Sequence, residues 1–416
     1  MDHKTHNYYE KNADKLVPRY ESADMSDLNR YRNHFPSNGK LLDIGCGSGR
    51  DAAYFFSKGY DVIAIDASTT MIKHAIQKHP ELRNRIKSSQ FPFPNINIFK
   101  EKFDIIICVA VMMHIQDHNL FECIYQLRKL LKPNGLVLIS ISNHRKNLDD
   151  DQRDNKGRLF IERQPEEYQL MFERFGFTLN NKESNQDGLG RNDIKWTSLL
   201  FQYQGEGVLR PADQIETIIV RDRKDATYKL ALLRALCDIA ISEYKQAKWL
   251  DGGKIGIPLG LVAEKWIYYY WPIFESKQFI PQKRGKEINK PINFREVLSK
   301  LIEFYSFKGG LNRFYVDFRG GTIPDNEAKE LTDIVLNKIA AEGIVKGPIQ
   351  YSGGALETNE PFFTCTTPYQ KKGKCFSANG AIKALGTIIF SSEIWREFCL
   401  IGYWIREALC PFGKPA

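Results

Sequence analysis

The stretch LLDIGCGSG, residues 41–49, joins a run of apolar residues to a helix-like segment through Gly45, Gly47 and Gly49. Glycine is needed where a chain turns sharply and its backbone approaches a ligand, because any side chain would collide there. The spacing differs from the dinucleotide-binding fingerprint GxGxxG, whose third glycine would fall at Arg50. The stretch therefore predicts a strand, a glycine turn and a helix of an α/β sheet, with a ligand site at the turn. A glycine turn without a ligand is the alternative.

The sequence on either side of this turn alternates short apolar runs with helical stretches. The runs KLLDIG, VIAID, FDIIICVAV and GLVLISIS predict four parallel strands, and the stretches near residues 50–58, 68–78 and 119–131 predict helices. Farther along, GFTL and KWTSLLFQY predict two antiparallel strands that close the domain near Tyr203. Apolar side chains recur at helical spacing before the first strand, which predicts a helical lid.

A carboxylate stands at the end of the second predicted strand. VIAID ends in Asp66, about 20 residues after the glycine turn, a separation at which an acidic residue meets a ribose in nucleotide-binding α/β domains. Its two oxygens can accept the protons of both ribose hydroxyls. The alternative role of Asp66 is to cap the next helix, but Ser68 and Thr69 are available for that position.

The run LDIGCGSGRDAAYFFSKGYDVIAIDAS resembles the first two motifs of class I S-adenosylmethionine (SAM) dependent methyltransferases, particularly those of the tellurite-resistance type. The resemblance covers about residues 8–203. It implies an α/β fold with a Rossmann-like sheet and helices on both faces, SAM-dependent methyl transfer as the activity, and SAM as the cofactor. By the same resemblance, the cofactor-binding residues of this region are Asp43, Gly45, Gly47, Gly49 and Asp66.

Two further segments supply candidate cofactor contacts by resemblance. The opening YYEKNADKLVPRYES resembles the lid helix of these enzymes, which makes Tyr9, Arg19 and Tyr20 candidate SAM contacts. Arg19 suits the SAM carboxylate, and a surface arginine between two core tyrosines is the alternative. The third motif of the family carries an acidic or polar residue beside the adenine. This chain reads KSSQF there, without an acid, so Ser89 and Gln90 are the candidates.

His114 is the candidate catalytic residue. Methyl transfer needs few catalytic groups, because the methyl group leaves an activated sulfonium and the protein mainly aligns the nucleophile. His114 follows the fourth strand, where open α/β sheets bind their ligands, and a histidine can remove a proton near neutral pH. We expect it to orient or deprotonate the acceptor, with packing beneath the lid as the alternative. The Asn/Asp-Pro-Pro-aromatic and Pro-Cys motifs of DNA methyltransferases do not occur here.

Polar segments after the fourth strand supply candidate acceptor contacts. DDDQRDNKGRLF contains Arg158, and GLGR contains Arg191 shortly before Trp196. We interpret these segments as a substrate loop over the carboxyl edge of the sheet, with a solvated loop as the alternative. The residues do not identify the methyl acceptor, and a small molecule or a protein is favoured over a DNA base.

Beyond Tyr203 the alternation of strands and helices ends. Glycines and a proline predict a linker at 206–214, between a methyltransferase domain at 1–205 and a mostly α-helical domain at 215–416. The runs DATYKLALLRALCDIA, AEKWIYYYWPIF and EFCLIGYWIREAL resemble the helical region that precedes the nuclease module of bacterial HNH-type endonucleases. All eight histidines lie at or before His144, so the second half cannot build a histidine-containing metal site, and we expect no metal.

The second half also carries aromatic and basic residues close together in the sequence. They are Trp266, Tyr268, Tyr269, Tyr270 and Trp271, followed by Lys283, Arg284 and Lys286. Such residues can bind nucleic acid by stacking and phosphate contacts, and a buried helix followed by a solvated loop is the alternative. The alternative function is therefore a nucleic-acid-associated defence protein whose C-terminal domain binds DNA, RNA or a protein partner that the N-terminal domain methylates.

The composition of the chain restricts its cellular compartment and the kinds of partner it can bind. The net charge of +9 comes from intermixed acidic and basic residues, which permits an acidic partner without requiring one. The eight cysteines form no CxxC pair, and no apolar run reaches the roughly 20 residues that cross a bilayer. No signal-like segment opens the sequence. We expect a cytoplasmic protein without membrane contact.

Overall fold

The computed structural model describes residues 2–95, 98–146, 148–191, 194–205, 210–220, 227–282, 291–349, 362–366 and 371–409. The chain divides into two compact units, Met1–Leu209 and Arg210–Ala416. Of the predicted linker 206–214, residues 206–209 lie outside the described residues. A helix begins at Pro211, where the proline ring suits the first helical position, so the last four linker positions are helical.

The first unit is built on a seven-stranded sheet in the order β3-β2-β1-β4-β5-β7-β6. The first five strands run parallel, and β7 is antiparallel to both of its neighbours. The strands are β1 Lys40–Ile44, β2 Asp61–Asp66, β3 Ile86–Ser88, β4 Phe103–Val109, β5 Leu131–Arg145, β6 Phe177–Asn185 and β7 Ile194–Tyr203. The predicted Rossmann-like sheet and its antiparallel strands are confirmed. The strand β3 was not predicted, because only Ile86 of its three residues is buried.

Six helices of the first unit, within the described residues, connect and cover these strands. They are α1 His3–Glu21, α2 Ser26–Arg32, α3 Arg50–Ser57, α4 Thr69–Lys78, α5 Asp117–Leu130 and α6 Pro165–Arg174. One core layer packs α3 and α4 against the central strands through buried apolar side chains such as Ala52, Phe55, Ala75 and Ile105. Burial of this apolar surface is the main stabilising contribution in such a layer.

The second unit is mostly helical, as predicted. Its helices are α7 Pro211–Val220, α8 Tyr228–Ser242, α9 Leu259–Glu275, α10 Arg295–Ser306, α11 Gly310–Gly320, α12 Asn326–Lys338, α13 Ala378–Ala384 and α14 Ser392–Leu409, with a wider helical stretch at Ile339–Ile349. A four-stranded antiparallel sheet was not predicted, because its strands have only two to five residues. They are β8 Lys248–Leu250, β9 Lys254–Pro258, β10 Thr364–Cys365 and β11 Thr387–Ser391.

The aromatic run of α9 lies in the core of the second unit. Trp266, Tyr270 and Trp271 are buried. Tyr268 donates a hydrogen bond to Glu264, and Tyr269 donates one to Asp238. The buried-helix alternative therefore describes these residues better than an exposed stacking surface. The basic residues predicted beside them, Lys283, Arg284 and Lys286, lie outside the described residues.

The described residues contain neither a membrane-spanning helix nor a cluster of metal-binding side chains. None of their helices is both long and apolar enough to cross a bilayer. Across the same residues, no three His, Cys, Asp or Glu side chains converge as a metal site requires.

The glycine turn after β1 leaves no room for a side chain at Gly45. Its φ is 74°, in the left-handed region, and a Cβ built there would lie 2.5 Å from Cγ2 of Val111. Gly59, between α3 and β2, has a similar φ of 89° but no atom within 4 Å of a built Cβ. A side chain at Gly45 would therefore cause both backbone strain and a collision, whereas one at Gly59 would cause backbone strain alone.

We expect Gly45→Ala to lower stability more than Gly59→Ala. The Gly59 variant adds only the left-handed strain of about 1–2 kcal/mol, whereas the Gly45 variant adds a collision with Val111, typically about 1–3 kcal/mol more. Thermal unfolding of the two purified variants gives the comparison. Equal midpoints would show that the segment after β4 moves away from the turn without loss.

Candidate active site

A cavity of the first unit opens at the carboxyl ends of the parallel strands, where open α/β sheets bind ligands. Each central strand contributes residues to its wall: β1 leads to Gly45 and Gly47, β2 ends at Asp66, β4 leads to His114, and β5 contributes Ser140. The helix α1 and the loops before α6 and β7 complete the wall. The cavity thus brings the predicted glycine turn, carboxylate and histidine together.

The glycine turn is fixed by hydrogen bonds to the end of β2. The amides of Gly45 and Cys46 both donate to the carbonyl of Ile65, at 2.8 and 2.9 Å. The amide of Gly47, whose φ is 55°, donates to Oδ2 of Asp66 at 3.0 Å. The turn therefore presents bare backbone to the cavity, and its position is set by the strand that carries the carboxylate.

Asp66 occupies the position that its spacing predicted. Its Oδ1 accepts from the amide of Ser68 at 2.8 Å, and Ser68 itself caps α4 by accepting from the amide of Met71. Burial raises the pKa of Asp66, against the hydrogen bonds from Ser68 and Gly47, which lower it. A carboxylate held by two backbone donors at the cavity wall is rigid, and it fits a pair of ribose hydroxyls.

Asp43 is a buried carboxyl at the end of β1. It is 2% exposed, and its Oδ2 has no hydrogen-bond partner within the described part of the chain. Burial raises its pKa well above the usual value, and the nearby carboxylates of Asp51 and Asp66 raise it further. A buried acceptor without a partner is unfavourable unless a donor arrives. Asp43 lines the cavity and therefore fits the ammonium group of SAM.

The helix α1 is held over the cavity at its middle and its end. Glu10 accepts from the hydroxyls of Ser68, Thr69 and Thr70 at 2.6–2.9 Å. Although burial raises the pKa of Glu10, these hydrogen bonds lower it to about 2. At the helix end, Arg50 donates to the carbonyl of Tyr20 at 2.8 Å. Arg50, which follows the glycine turn, thus holds the end of α1 against the turn.

Two loops hold the flanks of α1. Asp2, which caps the helix, accepts two hydrogen bonds from Arg153 at 3.0 and 2.8 Å. The hydroxyl of Thr5 accepts from the amide of Leu159 at 2.9 Å. Beyond the helix, the amide of Asp24 donates to the carbonyl of Gly188 at 3.1 Å. The predicted lid is therefore tied to the loops that carry the candidate acceptor residues.

His114 and Tyr9 form a hydrogen-bonded pair in the cavity wall. Nδ1 of His114 lies 2.5 Å from the carbonyl of Leu159 and must donate to it, which leaves Nε2 to accept from the Tyr9 hydroxyl at 3.1 Å. Burial lowers the pKa of His114 to about 4, although the bond to Leu159 opposes this. The imidazole is therefore neutral near pH 7, and both of its nitrogens are engaged.

Arg163 fixes the short helical turn that carries His114. It donates to the carbonyl of Ile115 at 2.6 Å and to Asp117 at 2.8 Å, and it contacts the hydroxyl of Tyr168 at 3.1 Å. Arg163 is buried, so these bonds are protected from water. This role could not be predicted, because Asp117 and Ile115 lie 46 and 48 residues before Arg163 in the chain.

The candidate acceptor residues lie on the β5 and β7 side of the cavity. Arg158 donates to Asp154 through Nε at 3.0 Å and Nη2 at 2.6 Å. Arg191 makes the same kind of pair with Asp187, at 2.8 and 2.6 Å. The indole nitrogen of Trp196 donates to Asp187 at 2.9 Å. The three side chains line the cavity, and each is oriented by a carboxylate.

The cavity wall contains most of the predicted site residues. Those present are Tyr9, Arg19, Tyr20, Asp43, Gly45, Gly47, Asp66, His114, Arg158, Arg191 and Trp196. Gly49 lies behind the turn as the left-handed cap of α3. Ser89 and Gln90 follow β3 and are not part of the wall, so an adenine contact through them stays a prediction. Arg145, Phe160 and Asp187 were missed, although a basic or aromatic residue beside a predicted polar loop was a usable signal.

Family comparisons agree with the division into two units. Residues 9–181 match a family described as "Methyltransferase domain". Residues 208–411 match a family described as "Domain of unknown function (DUF8808)", which gives no support to the predicted resemblance to HNH-type endonucleases. The first unit is therefore similar to methyltransferase domains over residues 9–181.

Curated relatives are similar to the first unit alone. A ubiquinone biosynthesis O-methyltransferase of Rickettsia akari is 29% identical over 147 residues, which cover 34% of this chain and 57% of the relative. Its counterpart in Pelagibacter ubique is 36% identical over 107 residues, covering 26% and 43%. The chain spans about half the length of the curated relatives it matches.

Solved structures with a similar fold include two methyltransferases. A SAM-dependent methyltransferase of Methanosarcina mazei gives a TM-score of 0.35 at 18% identity, covering 42% of this chain and 98% of that one. The 1,6-didemethyltoxoflavin-N1-methyltransferase of Burkholderia thailandensis gives a TM-score of 0.36 at 18% identity, covering 47% and 84%.

We expect His114 to make stability depend on pH below neutrality. Its pKa is about 4 in the folded state, against 6.5 in an unperturbed histidine, so between these values the unfolded chain binds a proton that the folded protein does not. Stability from this source is complete above pH 6.5 and is lost as the pH falls toward 4. Urea denaturation at about pH 5 and about pH 7 measures the difference.

When the pH is lowered from about 7 to about 5, the His114→Gln variant should lose less stability than the unmodified protein. His34→Gln, a change at an exposed histidine, is the control and should keep the original dependence. If the two variants behave alike, His114 is not the neutral, hydrogen-bonded group that the geometry indicates.

Proposed function

We propose that the chain transfers the methyl group of SAM to a small-molecule acceptor that binds beneath α1. One observation carries this proposal: a single cavity joins the glycine turn and Asp66 to His114, Arg158 and Trp196. The curated relatives are named O-methyltransferases, which supports a hydroxyl oxygen as the methylated atom. The helix α1, which encloses the cavity, favours a small molecule over a protein as the acceptor.

Three side chains of this chain would hold the cofactor. Asp66 would accept the ribose hydroxyls, Asp43 would accept from the ammonium group, and Arg19 would donate to the carboxylate. Arg19 lines the cavity, and its guanidinium has no side-chain partner within the described residues, so it is available for this role. When bound, SAM supplies a methyl group already activated by the positive charge on sulfur.

Tyr9 is the group that would receive the proton of the acceptor. Its hydroxyl donates to Nε2 of His114, and its oxygen has two lone pairs, of which one faces Tyr20 and the other can accept from an acceptor hydroxyl. As the acceptor oxygen takes the methyl group, its proton can pass to Tyr9 while the Tyr9 proton passes to Nε2. In this arrangement His114 acts through Tyr9, because its own nitrogens already have partners.

The nucleic-acid-associated alternative has less support. It depended on aromatic residues of α9 that the structure buries, and on basic residues outside the described part of the chain. No observation in the second unit favours a particular partner. A partner for the C-terminal domain stays a prediction.

Asp66→Asn should weaken SAM and S-adenosylhomocysteine binding roughly 10- to 100-fold, because an amide replaces a charged acceptor of two hydroxyl hydrogen bonds. Asp61→Asn is the matched control, since Asp61 begins the same strand and pairs with Arg85 away from the cavity. Calorimetric titration measures both. Unchanged affinity in the Asp66 variant would remove the proposed cofactor site.

Turnover tests the role of Tyr9. Purified protein, SAM and a panel of phenols and catechols should release S-adenosylhomocysteine with at least one acceptor. Tyr9→Phe and His114→Ala should then lower the turnover rate by roughly 100-fold, as expected when a positioned base is lost. Tyr8→Phe is the control, because Tyr8 packs beneath Arg158 rather than lining the cavity. Full turnover in the Tyr9 variant would contradict the relay.

A further inference from the structure

Three arginines border the acceptor side of the cavity, and only two of them have a carboxylate of their own. Arg145 ends β5, Arg158 lies in the following loop, and Arg191 precedes β7. Asp154 and Asp187 are the carboxylates that orient Arg158 and Arg191. Two carboxylates therefore stand beside three guanidinium groups, and Arg145 shares Asp154 with Arg158.

The two carboxylates are already occupied. Oδ2 of Asp154 accepts hydrogen bonds from Nε and Nη2 of Arg158. Its Oδ1 accepts hydrogen bonds from the backbone amides of Lys156 and Arg158. The oxygens of Asp187 accept hydrogen bonds from the Arg191 guanidinium, the indole nitrogen of Trp196 and the amide of Leu189. Little acceptor capacity is left for a third guanidinium.

Arg145 is the guanidinium that remains incompletely paired. Its closest carboxylate oxygen is Oδ2 of Asp154, at 3.6 Å, which exceeds a hydrogen-bond distance. Its plane packs over the ring of Phe160, with 3.9 Å from the guanidinium carbon to the ring centre. The side chain is only 12% exposed and lines the cavity. Its N–H donors therefore face a space where water is restricted.

The electrostatic setting favours an anion at this position. Burial lowers the pKa of Arg145, and the charges of Arg158 and Arg191 lower it further, although Asp154 raises it. Arginine remains charged in proteins, so an anionic ligand relieves this strain. Among other charged groups, Glu162 accepts from the backbone amide of Arg145 and is exposed, and Asp24 lines the cavity from an exposed turn.

The neighbouring rings indicate the shape of the ligand. Phe160 lies under Arg145, Trp196 is held in place by Asp187, and Tyr9 stands beside His114. Aromatic walls on several sides accommodate a planar group, because offset stacking and edge contacts are favourable between rings. A guanidinium recognises a carboxylate or phosphate through paired hydrogen bonds.

We infer that the methyl acceptor is a planar small molecule bearing a carboxylate or phosphate, and that Arg145 binds this anionic group. The inference rests on the proposed methyl transfer, because it places the anion in the same cavity as the cofactor. Arg145 selects the acceptor and holds its ring beside Tyr9. A neutral analogue of the same shape loses the paired hydrogen bonds and leaves the guanidinium unsatisfied.

The experiment uses full-length protein saturated with S-adenosylhomocysteine and three probes of one shape: 2-naphthoate, 2-naphthyl phosphate and the neutral 2-naphthamide. Calorimetric titration should show that one anionic probe binds at least about 10-fold more tightly than the amide, as a charge-assisted pair predicts. Comparison of the carboxylate with the phosphate then identifies the anion. Equal affinity for all three probes would overturn the inference.

Variants assign the preference to Arg145. Arg145→Met keeps the contact with Phe160 but should abolish the preference for anions, and Arg145→Lys should retain part of it because the charge stays while the paired donors are lost. Lys195→Met removes an exposed cation next to Trp196 and should change nothing. An undiminished preference in both Arg145 variants would contradict the assignment, and the Lys variant decides the matter if the Met variant fails to fold.

The cofactor titration keeps this inference apart from the proposed function. If the unmodified protein does not bind S-adenosylhomocysteine, the proposed methyl transfer fails. If it binds S-adenosylhomocysteine in both unmodified and Arg145→Met forms but shows no preference among the probes, only the assignment of an anionic acceptor fails.

Discussion

The site depends on the hydrogen bonds between the glycine turn and the end of β2. The carbonyl of Ile65 receives two amides of the turn, and the carboxylate of Asp66 receives a third. Gly45 and Gly47 adopt left-handed conformations that glycine reaches without strain, and at Gly45 there is no space for a side chain. The distance between the backbone cradle and the carboxylate is thereby set by the pairing of β1 with β2 in the sheet.

Around this fixed centre, the other functional groups are held by ion pairs and hydrogen bonds between distant segments. Arg163 fixes the turn that carries His114, and Glu10 fixes α1 against the start of α4. Asp154 and Asp187 orient the arginines of the acceptor side. Such bonds are directional, so they determine where each side chain points more than how stable the unit is.

Much of the first unit could be predicted from sequence, because its strands are buried on both faces and read as continuous apolar runs. The glycine turn and Asp66 were predictable because the ligand restricts both residue type and spacing. Arg145 and Phe160 were not found, since their role arises from contacts across the cavity. The short strands of the second unit were missed because two to five residues show no clear period. Its aromatic residues were visible, but the sequence did not show whether they were buried.

The helix α1 contributes Tyr9, Arg19 and Tyr20 to the cavity wall, and under the proposed function it serves both the cofactor and the acceptor. All three residues lie on one helix, so a displacement of the whole of α1 would move them together. Departure of the spent cofactor and of the methylated product would then require the same displacement of α1. In many enzymes with a closing lid, release of the product rather than the chemical step limits turnover. A mutation in Glu10 or Arg50, remote from the reacting atoms, would alter the speed of the whole cycle.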